Sequence, residues 1–214
     1  MNQIITIHHV CSLGPHCQSS QLCKATKLKR ESYPFDWIFS SPTNIINILE
    51  DDFCLFLNRE LYVSNKPSKC SHTLYRENMF NHHNPKDNND HYNYFTRCVE
   101  RFRKLLGKKC NKLFILTFVN VNNDVNQIQH IKQQVIQLND YISTKTKNYY
   151  MLVICHIPYQ DNYKTTLLDI DNIKFILLYT QSRSNGLALL DPVEDNLTHK
   201  LLLDNYLFQI KNLE

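Results

Sequence analysis

The stretch from residue 113 to residue 156 constrains the fold more than any other part of the chain. Leu113-Phe114-Ile115-Leu116-Thr117-Phe118-Val119 is a near-continuous apolar run, the pattern of a strand buried on both faces of a parallel sheet. From Asp124 to Ser143 the residues Val125, Ile128, Ile131, Val135, Leu138 and Ile142 recur with a 3.6 period, start at an acidic cap and meet no proline, which predicts a helix. Tyr149 to His156 is a second apolar strand. Strand, helix and strand in that order make a βαβ unit, whose parallel strands need a right-handed crossover and apolar cover on their faces.

The remaining chain extends this plan. Ile4 to Val10 reads as a strand, Ser12-Leu13-Gly14-Pro15 breaks it, and a helix is expected from Cys17 to about Lys29. The aromatic loop Ser32-Tyr33-Pro34-Phe35-Asp36-Trp37 leads to a helix from Pro42 to Asp51, capped by Ser41 or Thr43. Residues 64–93 are polar and rich in Asn and His, and are expected as a long irregular loop or insertion. Phe95, Val99, Phe102 and Leu106 mark one face of a helix over Tyr92 to Leu106, ended by Gly107. Ile173 to Tyr179 is a third apolar strand, and a helix from about Thr198 to Ile210 closes the chain.

The expected fold is α/β: a layered, mainly parallel central sheet with helices on both faces, Rossmann-like or doubly wound, forming a single domain over residues 1–214. Ligands of such sheets bind outside the carboxyl ends of the strands, so Cys11–Cys17, Asn120–Asn123 and Cys155–Pro158 are expected on one rim.

Composition removes several functions. Gly14, Gly107 and Gly186 are the only glycines, which excludes the glycine-rich loops that cradle dinucleotides and phosphates and the nucleophile elbow of serine hydrolases. A net charge of +4, spread among acids, gives no reason to expect a nucleic-acid partner. No apolar run approaches the ~20 residues that span a bilayer, and no export signal is read, so the chain is expected in the cytoplasm with no membrane partner. Its eight cysteines are then expected as reduced thiols.

One of them stands out. If a helix starts at Pro15 or His16, its free amides and dipole lie beside Cys17, lowering the thiol pKa and offering donors to an oxyanion; a buried, inert thiol is the competing reading. Cys11 and Cys23 are expected in the core. Candidate bases are His82, His83, His91 and His156, of which His156 ends a strand at the same rim. Asp36, between Phe35 and Trp37, must have a partner, expected to be His or Arg, and serves either as a triad acid or as a cap of the turn after Pro34. Arg97 and Arg101, four apart, suit an anionic group or a structural pair. The cysteine and histidine spacings do not match zinc motifs, although Cys70, His72, His82, His83 and His91 could meet within the polar segment; no metal and no cofactor are expected.

Ser12-Leu13-Gly14 followed by Cys17, the Leu28-Lys29-Arg30 approach to Ser32-Tyr33-Pro34-Phe35-Asp36-Trp37, Asn81-His82, and Arg97-Cys98-Val99-Glu100-Arg101-Phe102 together resemble the papain-like cysteine peptidase family, a domain of unknown function found in bacteria and giant DNA viruses. The resemblance spans roughly residues 4 to 160. It implies Cys17 as nucleophile, His82 or His156 as its base, Asp36 in support, and Arg97, Arg101 and Trp37 toward the substrate. His83 stands where the family has an acidic residue, and Thr96 where it has a second consecutive arginine. The implied activity is a cysteine-dependent hydrolase or acyl transferase acting on a peptide or acylated substrate, glycan-linked ones included, in the host cytoplasm if the chain is viral. The other class of function is a non-catalytic module binding an anionic ligand such as a sugar phosphate. Oligomeric state is left open.

Overall fold

A computed structural model describes residues 5–213. Strands β1 (Thr6–Ile7) and β2 (His9–Pro15) lead to helix α1 (Gln18–Ala25), and α2 (Pro42–Glu50) follows the aromatic loop. Next come β3 (Tyr62–Lys66), β4 (Lys69–His72) and β5 (Arg76–Phe80), then α3 (Asn89–Gly107), β6 (Lys112–Phe118), α4 (Val125–Lys145) and β7 (Tyr149–Ile157). The chain continues through β8 (Lys164–Ile170), β9 (Ile173–Tyr179), α5 (Pro192–Asn205) and β10 (Leu207–Phe208). No helix among the described residues is long and apolar enough to cross a membrane.

The central sheet has the order β2-β6-β7-β9-β8, parallel throughout except for the edge strand β8, which turns back on β9. Alternation sorts the side chains into two cores. Phe114, Val153 and Phe175 face α2, α3 and α4 through Ile45, Phe102 and Leu138. Ile115, Ile154 and Ile176 face α1 and α5 through Leu22 and Leu202. The expected mainly parallel sheet between helical layers is therefore present. A doubly wound order is not: the parallel strands follow one another in chain order across the sheet, without the reversal that defines a Rossmann switch point.

Several regions depart from expectation. β2 runs on through Pro15, where Ser12-Leu13-Gly14-Pro15 was expected to break the strand, α1 ends at Ala25 rather than near Lys29, and β8 and β10 were not expected. Residues 62–80 form a three-stranded antiparallel sheet, β3-β4-β5, where an irregular loop was expected. Tyr62, Cys70, Met79 and Phe80 bury its inner side in the first core, and Ser71 and His72 of β4 are buried as well. The closing helix runs Pro192–Asn205 instead of starting at Thr198, because Asp191 caps it through the amides of Val193 and Glu194 and Pro192 suits its first turn. On α3, Leu105 is buried and Leu106 only packs against the core. On α4, Val125 is exposed at the first turn and the buried stripe begins at Ile131. Ile4, the start of the expected first strand, lies outside the described residues.

The carboxyl ends of β2, β6, β7 and β9 share one rim, as the parallel order requires. At β2 the rim is covered by residues 38–40: the Ser40 amide donates to Pro15 O at 3.2 Å, and the Phe39 amide ties the same segment to Met79 O at 2.8 Å.

Candidate active site at the carboxyl rim

The approach to Cys17 is fixed by glycine. Gly14 has φ +81, and a Cβ there would stand 2.5 Å from Ser40 Oγ, so backbone conformation and space both demand the missing side chain. Two residues past the end of β2, Cys17 is the N-cap of α1; its carbonyl accepts the Gln21 amide at 2.9 Å, and its side chain makes no capping bond. The thiol is 3% exposed. Burial pushes its pKa up to about 11; its own backbone amide lowers it, and nearby Asp36 raises it. Burial thus favours the competing reading of a buried thiol over activation by the helix terminus. A helix end contributes about 0.3–1 kcal/mol at an exposed site, whereas a rise from 9.0 to about 11 represents about 3 kcal/mol of lost thiolate solvation. Cys11 and Cys23 are buried as well, and all eight cysteines are free thiols.

Asp36 is buried, and its partner is a lysine rather than the expected His or Arg. Lys29 Nζ is ion-paired to Asp36 Oδ2 and donates to Ser20 Oγ at 2.6 Å, while the Tyr33 amide donates to the same carboxylate oxygen at 2.9 Å. Burial raises the Asp36 pKa, and Lys29 and the Tyr33 amide pull it back. The aromatic loop carrying Asp36 is pinned from behind, with Phe35 edge-on to Phe102 at 5.7 Å. Lys29 Nζ also lies 5.2 Å from the Trp37 ring centroid, and Trp37 meets the His82 ring edge-on at 6.3 Å. Through Ser20, Lys29 and Trp37, the exposed His82 is linked to the helix that Cys17 opens.

The other histidines are differently placed. His156 is 1% exposed; Nδ1 accepts the Asn120 amide at 3.3 Å, which puts the proton on Nε2, 2.7 Å from Thr180 Oγ1 and 3.2 Å from Ser182 O. Both nitrogens are occupied, and burial lowers its pKa. His83 stacks on Tyr94 at 4.9 Å, and His91 Nδ1 accepts the Asn84 amide at 2.9 Å. No hydrogen bond joins the Cys17 thiol to a histidine among the described residues. The arginines separate: Arg101 donates from Nε to Ser32 O at 2.9 Å and from Nη2 to Cys98 Sγ at 3.1 Å, while Arg97 is exposed. Arg101 anchors the aromatic loop.

The polar segment's candidate ligands do not converge. His72 Nε2 bonds Leu55 O at 3.0 Å, Cys70 is buried in the core, and no group of three His, Cys, Asp or Glu among the described residues could hold a metal ion.

Three rim residues were not anticipated. His16 Nδ1 lies 3.3 Å from Thr117 O, so Nδ1 carries the proton and Nε2 keeps its lone pair; burial lowers the ring's pKa. Gln18 is buried, and its Oε1 accepts Ser184 Oγ at 2.5 Å. Ser184 in turn exchanges two bonds with the Asn120 side chain, at 2.8 and 2.9 Å. His16 could have been found from its place beside Cys17. Nothing in the sequence announces the pairing of Gln18 with a serine 166 residues away.

Cys17 thus lies where β2 gives way to α1, at the carboxyl rim of the parallel sheet. The chain belongs to the family described as "Putative papain-like cysteine peptidase", whose sequence model matches residues 8–158. Comparison with curated proteins and with solved structures gives no match.

Proposed function

We propose that the protein is a cysteine-dependent, peptidase-type hydrolase in which Cys17 is the nucleophile. The observation that carries this reading is the placement of Cys17 at the start of α1, just past the carboxyl end of β2, in a chain of this family. A thiol near pKa 11 is almost wholly protonated at neutral pH, so the reaction depends on a base rather than on a preformed thiolate. His82 fills that role: it is exposed, and its ring is oriented by Trp37. It takes the thiol proton as sulfur attacks the acyl carbon, the amides opening α1 receive the oxyanion, and the imidazolium returns the proton to the leaving amine. Water, activated by the same histidine, then releases the acid from the thioester. Transfer to another acceptor in place of water would use the same steps.

His16 is the second candidate base, favoured by the free lone pair on Nε2. His156 lacks one, and Asp36 is committed to Lys29, which makes it a positioning residue for the aromatic loop. An anion-binding module built on Arg97 and Arg101 is less well supported, since Arg101 is spent on Ser32 and Cys98.

The test is hydrolysis of a fluorogenic peptide and ester panel by the wild type, Cys17→Ala, His82→Ala and His16→Ala. Cys17→Ala should abolish turnover, and His82→Ala should lower it about 10²–10⁴-fold. Full activity in Cys17→Ala overturns the reading; a loss confined to His16→Ala reassigns the base.

A further inference from the structure

Beside the Cys17 helix lies a cavity of about 310 Å³, walled by Asn120, Asn122, Asn123, Tyr159 and Arg183 among others. It opens on the same rim, at the carboxyl ends of β6 and β7. Its wall is bonded to the residue after Cys17: Gln18 takes a hydrogen bond from Ser184 Oγ, and Ser184 holds Asn120 through two more. Asn120, at φ +55, is locked by those bonds and by its amide's donation to His156. The walls are therefore built, with buried Gln18, Ser184 and His156 behind them.

Arg183 is the one charged residue among those lining this cavity. The ion pairs among the described residues involve Lys29, Arg103, Lys174 and His199, so none neutralises Arg183. Asn120 is committed to Ser184 and Asn123 Nδ2 donates to Gln160 Oε1 at 3.4 Å, so the other walls offer a ligand the Asn122 amide and the ring of Tyr159, which is 73% exposed. A guanidinium fork flanked by an amide matches a carboxylate, which accepts two parallel N–H bonds. Residues 180–184, which supply Arg183 and Ser184, lie beyond the 8–158 family match.

We infer that this cavity is a substrate pocket that takes an acidic side chain, Asp or Glu, of a peptide bound across Cys17, with Arg183 setting the preference. This rests on the peptidase reading for what Cys17 does, but the pocket can be tested without turnover.

The experiment measures binding of fluorescein-labelled, acetylated hexapeptide pools to full-length Cys17→Ala protein by anisotropy. The pools are identical except for one position fixed as Glu, Gln, Lys or phosphoserine. The Glu pool should bind about tenfold more tightly than the Gln pool, in line with one charge-assisted contact. Arg183→Gln should erase that preference, and Arg183→Glu should shift it to the Lys pool. Asn122→Asp, which leaves Arg183 in place, should weaken the Glu pool alone. Thermal melts confirm that each variant is folded. Equal binding of the Glu and Gln pools, no binding, a preference that survives Arg183→Gln, or tighter binding of the phosphoserine pool each overturns the assignment. A Glu preference in a protein whose wild type hydrolyses nothing would keep the pocket and overturn the peptidase reading instead.

Discussion

Acid should unfold this protein partly through one residue of the connection between β5 and α3, His83. Its ring stacks on Tyr94, lies edge-on to His91 at 5.0 Å and to Phe95 at 5.2 Å, and its Nδ1 is buried with no hydrogen-bond partner. Burial, with help from His91 and His82, pulls its pKa from 6.5 to about 4. The unfolded chain therefore binds a proton at higher pH than the folded one. Stability is fully present above pH 6.5 and is lost as pH falls from there toward 4. Linkage at about 1.4 kcal/mol per pH unit gives a loss of about 2 kcal/mol between roughly pH 7 and 5, and about 3 kcal/mol once both titrations are complete. Burial also lowers His9, His16, His72 and His156, so the wild-type slope will be steeper than His83 alone predicts. The informative quantity is a difference: urea unfolding of wild type and His83→Phe across this range. The variant keeps the aromatic stack and removes the unsatisfied nitrogen, so it should match or exceed wild type at neutral pH and be about 2 kcal/mol more stable near pH 5. Parallel pH slopes in the two proteins would refute the reasoning.

Other consequences are equally direct. Lys29→Met should cost about 3 kcal/mol by stranding the Asp36 carboxylate, and adding Asp36→Asn should recover part of that; because Trp37 is the only tryptophan, its fluorescence reports the loosened loop. Gly14→Ala should cost about 2 kcal/mol in urea unfolding, since φ +81 and the Ser40 hydroxyl both oppose a Cβ. Arg101→Ala should cost about 2 kcal/mol by releasing the Ser32 carbonyl, and should slow turnover by loosening the aromatic loop beside His82.

The parts of the fold that were legible in the sequence are those where one force dominates. The β6-α4-β7 unit and β9 are buried on both faces or along a clean stripe, so apolar periodicity alone locates them. The hairpins escaped because their cores are shared. In β3, Tyr62 is the only buried residue and the other four are exposed, while β8 carries Leu167 and Leu168 largely uncovered at the sheet edge. On α5, Glu194 and Thr198 are buried while Val193 and Leu197 are exposed, so its apolar pattern misleads and its Asp191-Pro192 start was the better guide. At the site, the strand before Cys17 and the helix after it could be read, although the expected break is only a register shift between Ser12 and Gly14 within a strand that runs to Pro15. The ionisation of Cys17 could not, because burial of the thiol depends on cover from elsewhere in the chain. The same holds for Asp36, whose lysine partner lies seven residues back, around a turn that spacing does not reveal.

The family match stops at residue 158, but the sheet does not. Along Met151–Ile157, each residue of β7 is partnered by β9, and Met151, Val153, Cys155 and Ile157 are fully buried. A fragment cut at the family boundary would end in a naked, apolar strand edge, an invitation to aggregate, and His156 would lose the hydroxyl of Thr180. Any minimal domain drawn for this chain therefore has to run past the family boundary, at least through Ser184, which closes the rim on Gln18.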